Sequence, residues 1–182
     1  FNQDLSSWDV SSVTNMHGMF AFAESFEGHG LETWNVSNVE SMQELFYLAV
    51  VFNGNVSNWD VSKVESMNSI FNSAFTFNQD LSTWDTSSLT QAFHMFKSAT
   101  AFNGNLSGWD ISGVVNTDIL GAKEMFRDAV SFEGHGLETW NVSNVQIMEG
   151  MFFGAELFNA DISGWDVSSV IDMSHMFRDA EL

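Results

Sequence analysis

At 182 residues the chain has the length of one ordinary domain, and its 24 acidic residues against 5 Lys and Arg give a net charge of -19. Such a charge excludes nucleic acid and anionic membrane surfaces as favourable partners. The lack of cysteine excludes disulfides and thiolate metal sites, and no apolar run approaches the roughly 20 residues that a membrane-spanning helix needs.

The chain opens with Phe1-Asn2-Gln3-Asp4 and runs into Leu5-Ser6-Ser7-Trp8-Asp9-Val10-Ser11-Ser12-Val13. In this stretch Trp8 and Val10 alternate with Asp9, which predicts a short strand with one face buried. From there the apolar residues are Val13, Met16, Met19, Phe20, Ala23 and Phe26. On a helical wheel they fall in a stripe about 140° wide, so the spacing predicts an amphipathic helix.

The pattern then returns. Tryptophans stand at Trp8, Trp34, Trp59, Trp84, Trp109, Trp140 and Trp165, at intervals of 26, 25, 25, 25, 31 and 25 residues. A period so regular predicts a stack of repeats rather than one mixed core. The expected architecture over 1–182 is therefore a single α/β repeat solenoid of the leucine-rich-repeat type. It has about seven strand-turn-helix units and a parallel sheet on one face, and an all-parallel β-helix is the alternative. The chain starts in mid-repeat, which is what a fragment of a longer array would do.

Small polar residues punctuate each unit. A serine follows each predicted strand, at Ser11, Ser37, Ser62, Ser87, Ser112, Ser143 and Ser168; Glu40, Glu65 and Gln146 stand three residues after three of them. That pairing predicts capping boxes at helix starts. Phe-Asn turns at Asn2, Asn53, Asn78, Asn103 and Asn159 predict tight returns and an amide ladder from unit to unit. Two units replace this turn with Glu-Gly-His-Gly, and residues 25–39 and 131–145 are identical. The fifth unit carries an insertion near 114–122, where Asn116 and Asp118 are candidate loop contacts.

The repeat Phe-Asn-x-Asp-Leu-Ser-x-Trp-Asp-Val-Ser-x-Val-x-x-Met-x-x-Met-Phe-x-x-Ala-x-x-Phe resembles the 25-residue repeat of mycoplasma-type surface lipoproteins, which are grouped with BspA-like leucine-rich repeat proteins. The resemblance covers essentially the whole chain. It implies an α/β solenoid that is secreted or displayed on a cell surface, acting in adhesion or protein binding without catalysis.

The residue after each tryptophan forms the candidate ligand or cation strip: Asp9, Asn35, Asp60, Asp85, Asp110, Asn141 and Asp166. In a parallel sheet, neighbours in this column would lie about 4.8 Å apart on the outer face. Two carboxylates at that distance repel by about 3.5 kcal/mol at an effective dielectric of 20, so something must offset the charge. Local hydrogen bonds would do so, and so would calcium, which takes oxygen ligands. No cofactor is required.

Catalytic patterns are missing. The histidines His17, His29, His94, His135 and His175 show no metal-ligand spacing, and neither a Gly-x-Ser-x-Gly elbow nor a glycine-rich phosphate loop occurs. The function expected is a non-catalytic extracellular or cell-surface binding or adhesion module, with an acidic Asp/Ser-lined face for a protein or glycan on another surface. The alternative is a structural protein that assembles with copies of itself in a surface layer or filament.

Overall fold

The computed structural model describes residues 1–115 and 121–181. Its organising motif is the four-residue turn. In the first unit Leu5 O accepts from Trp8 N, Val10 O from Val13 N, Met16 O from Met19 N, Phe20 O from Ala23 N, and Ala23 O from Phe26 N. The third unit repeats the scheme from Val56 to Phe77. Each of these turns begins and ends on an apolar residue, and its middle residues are mostly polar, Ala21, Phe22 and Phe75 being the exceptions.

This overturns the expected α/β solenoid with a parallel sheet. Among the described residues the regular elements are two short 3-10 helices, η1 at Leu31–Thr33 and η2 at Leu137–Thr139, with isolated parallel bridges such as Asn15 to Ser41 and Ser41 to Ser66. The alternative, a parallel β-helix, needs strands that these single bridges do not supply. The backbone explains the failure of the helix. Two positions in each unit are left-handed: φ is 56° at Glu44 and at Leu48, 55° at Ser69, and 57° at His94. A left-handed residue cannot sit inside an α-helix, so the Met-x-x-Met-Phe-x-x-Ala run becomes consecutive turns. Each non-glycine residue there costs about 1–2 kcal/mol, which the core must offset.

The core consists of columns. Phe20, Phe46, Phe71, Phe96, Phe126, Phe152 and Phe177 stack with ring centroids 5.4 to 5.7 Å apart. A second phenylalanine column runs beside it from Phe26 to Phe158. The tryptophans form a third, with Trp34 and Trp59 6.4 Å apart and Trp140 and Trp165 6.5 Å apart. Six tryptophans also donate Nε1–H to a backbone carbonyl of the preceding unit: Trp34 to Leu5, Trp59 to Leu31, Trp84 to Val56, Trp109 to Leu81, Trp140 to Leu106, and Trp165 to Leu137. A buried indole needs such a partner, and here the partner fixes the register of the repeats.

Backbone bonds link the same units. Met16, Gly18, Phe20 and Phe22 donate their N–H groups to Ser41, Gln43, Leu45 and Tyr47 of the next unit. The expected amide ladder is present as well, because Asn53 Oδ1 accepts from Asn78 N and Asn78 Oδ1 from Asn103 N. Interlocked repeats of this kind bury their core by contact with neighbours, without sheet or helix layers.

Candidate functional site

All seven members of the column from Asp9 to Asp166 are exposed. The Asx-x-Ser pattern holds each in place: Asp9 Oδ1 accepts from Ser11 N at 3.0 Å, Asp60 from Ser62 N at 3.1 Å, Asp85 from Ser87 N at 3.0 Å, and Asp166 from Ser168 N at 3.0 Å. Asn35, Asp110 and Asn141 accept in the same way from Ser37, Ser112 and Ser143. Side chains that bond the backbone two residues on make Asx turns, and here they turn the chain after each tryptophan. The serines therefore do not cap helices. They donate to the carboxylate or amide before them.

The same motif occurs a second time in five of the seven units, at Asp4 to Ser6, Asn55 to Ser57, Asp80 to Ser82, Asn105 to Ser107 and Asp161 to Ser163; the two units with Glu-Gly-His-Gly lack it. Hydrogen bonds from serine hold the carboxyls of Asp9, Asp60, Asp85 and Asp166 below the usual aspartate range. At Asp60 the neighbouring charge of Asp85 works in the opposite direction as a lesser effect. Between these two carboxylates lies a depression of about 350 Å³ lined by Ser57, Asn58, Trp59, Asp60, Val61, Thr83 and Asp85. Among the described residues no group of three or more His, Asp or Glu side chains converges as a metal site. Asn116 and Asp118 lie outside the described residues.

Substituting Asp60→Asn should preserve the turn, since Asn35 and Asn141 already make it, while removing a charge from the column. The expected result is a melting temperature equal to or slightly below that of the parent at low salt, because the attraction of Lys63 exceeds the repulsion of Asp85, and converging with it as salt screens both. Asp60→Ala, which has no acceptor, should melt below both. Because the folded-state carboxyls titrate below their unfolded value, their stabilisation is complete above the unfolded pKa and is lost as pH falls through the folded one. A melting series down the acid range should therefore lose stability in D60N less steeply than in the parent.

The duplicated Glu-Gly-His-Gly loops make two matching depressions of about 790 Å³ each, one around His29 and one around His135. Each histidine faces the glutamate two residues before it, His29 Nε2 at 3.2 Å from Glu27 and His135 Nε2 at 3.6 Å from Glu133, with these side chains about half exposed.

Sequence reading missed a charge cluster on another face. Glu124 is nearly buried and receives Lys97 Nζ at 2.6 Å on Oε2 and Arg127 Nη1 at 2.8 Å on Oε1. Burial pushes its carboxyl up, but hydrogen bonds from Lys97 and Arg127 outweigh that and hold it low. His94, which shows no metal-ligand spacing in the sequence, has its Nε2 buried 3.1 Å from Glu124 Oε2, without hydrogen-bond alignment. Desolvation, then Lys97, depresses its pKa and favours the neutral ring. Arg127 and Arg178 both lie over Phe153, at 4.4 and 5.4 Å. Stacking the units in register would have revealed this group, because Lys97, Arg127 and Arg178 occupy one place in their repeats and His94 and Glu124 another.

No helix among the described residues is long and apolar enough to cross a membrane. Neither the curated proteins nor the solved structures contain a match to the chain. The family model described as "Mycoplasma protein of unknown function, DUF285" matches three times, over residues 1–57, 27–122 and 120–182. Those matches span the chain from end to end, and the protein is a repeat protein of the DUF285 family.

Proposed function

We propose that this protein is a non-catalytic binding or adhesion module of a cell surface or extracellular space, with the Asp/Asn column as its contact strip. The observation that carries this reading is the column itself: seven exposed acceptor side chains, one per unit, held in a fixed orientation by serine and contributing nothing to the core. Pre-orientation lowers the entropic cost of binding, and a row of carboxylates favours a cationic partner. The partner class is a basic protein segment or a glycan-bearing surface, and calcium would act as a bridge from carboxylate to ligand. Kinship with BspA-like surface proteins belongs to the same proposal.

The test compares the parent with the triple variant D60N/D85N/D110N, which keeps the Asx turns, for binding to immobilised cationic peptide with and without calcium. The proposal expects salt-sensitive binding by the parent and a loss of at least about tenfold in the variant, roughly 1.4 kcal/mol. Equal binding by the two proteins would refute the strip.

A further inference from the structure

We propose that Asn35, Asn55 and Asn141 are glycan acceptors, each taking an N-linked sugar chain on its side-chain amide as the protein passes through a secretory pathway. Each begins an Asn-Val-Ser sequon, with no proline in the middle place. The sequon is a common pattern, and the local geometry is what selects these three. Asn35 Oδ1 accepts from Ser37 N at 3.2 Å and from Ser37 Oγ at 2.8 Å. Asn55 accepts from Ser57 at 3.1 and 2.7 Å, and Asn141 from Ser143 at 3.2 and 2.8 Å. The carbonyl end of each amide is therefore engaged, while Nδ2 donates to nothing among the described residues. Other asparagines use that nitrogen: Asn38 and Asn144 donate it to Ser11 O and Ser112 O, and Asn2 and Asn103 to Glu27 and Glu133. A fourth sequon, at Asn105, is half-buried beside His135 and receives only the backbone bond from Ser107.

Attachment leaves the turn intact. Nδ2 bonds to the anomeric carbon of a sugar carried on a lipid pyrophosphate, the C–O bond to the pyrophosphate breaks, and one amide proton passes to a base of the transferase. Oδ1 remains an amide carbonyl and keeps its bonds from serine. Asn35, Asn55 and Asn141 are all exposed, so a bulky sugar chain projects into solvent and does not disturb the aromatic columns.

The placement bears on the acidic strip. Asn35 and Asn141 stand in the second and sixth units, and Asp60, Asp85 and Asp110 in the three units between them. Sugar chains on both asparagines leave those three carboxylates as the open stretch of the column, a consequence that rests on the strip reading although the modification itself does not. Peptide binding by the unmodified chain and occupancy of the sequons are separate measurements, so either proposal can fail alone.

The test is secretion of the 182-residue chain, behind a signal peptide, from cells that attach N-linked glycans. The glycans are then released enzymatically in heavy-oxygen water, which converts each occupied Asn to labelled Asp, and the label is mapped by mass spectrometry. The expected result is label at Asn35, Asn55 and Asn141 in most chains, less at Asn105, and none at the exposed Asn38 and Asn58, which lie outside sequons. S37A and S143A should each abolish the label at the asparagine two residues before, while the backbone N–H at that position still closes the turn. Circular dichroism of the glycosylated, released and variant chains should match, since Asp makes the same turn at Asp60. An absence of label at the three asparagines, label persisting in the serine variants, occupancy of Asn105 equal to theirs, or a glycosylated chain that is unfolded would each overturn the proposal.

Discussion

Replacing Trp84 by alanine should lower stability by about 3–5 kcal/mol, the range for deleting a large buried aromatic side chain. Trp84 is 1 % exposed, its ring stacks on Trp109 at 6.1 Å, and its Nε1–H satisfies Val56 O at 3.0 Å. The substitution opens a cavity and removes one of the two hydrogen bonds that Val56 O accepts, the other coming from Trp59 N, so the cavity carries most of the cost. Trp8→Ala removes the same side chain from a place where it is 53 % exposed and makes no such bond, and it should cost less than about 1 kcal/mol. Thermal melts of the two variants against the parent check the contrast. Because repeats hold only their neighbours, hydrogen exchange in W84A should rise first in the units flanking the fourth.

The second large effect belongs to the duplicated loop. Gly30 has a φ of 88°, and a Cβ placed there would come within 2.3 Å of Ser6 N and 2.5 Å of Asp4 Oδ1. Gly30→Ala therefore combines a left-handed backbone penalty of about 1–2 kcal/mol with overpacking of about 1–3 kcal/mol. A loss near 3 kcal/mol is expected in denaturant titration. Its twin, Gly136, has a φ of 93° and the same close approach to Ser107, so Gly136→Ala should reproduce the result in the sixth unit. At Gly164 nothing lies within 4 Å of a new Cβ, and Gly164→Ala should be neutral or stabilise by up to about 1 kcal/mol.

The repeat register, the core columns and the asparagine ladder could all be read in the sequence, because they depend on which residue types recur at which interval. Secondary structure could not be read in the same way. Apolar residues three and four apart, as in Met67, Ile70, Phe71 and Ala74, line one face of a helix, but they are also the first and last members of successive four-residue turns. What separates the two readings is the backbone at Ser69 and Ser73, with φ of 55° and 60°, and neither residue announces a left-handed conformation as glycine would. Gly18, Gly150 and Gly154 do occupy these two places in other units, and they were the available hint.

The candidate strip was legible for a related reason, since Asp-x-Ser after every tryptophan is a local motif whose hydrogen bond spans two residues. The Glu124 cluster was not, because His94 and Lys97 lie 30 and 27 positions from it and meet it only through stacking across the lengthened fifth unit. A longer interval hides the register that elsewhere makes such columns visible.

Far-UV circular dichroism of the purified chain tests the central claim most directly, namely that the repeats are chains of turns locked by stacked aromatic columns. The fold described here predicts a spectrum without the helical double minimum, together with an exciton band from tryptophans about 6 Å apart that weakens in W84A. A strong helical double minimum, from one helix per repeat, would contradict it.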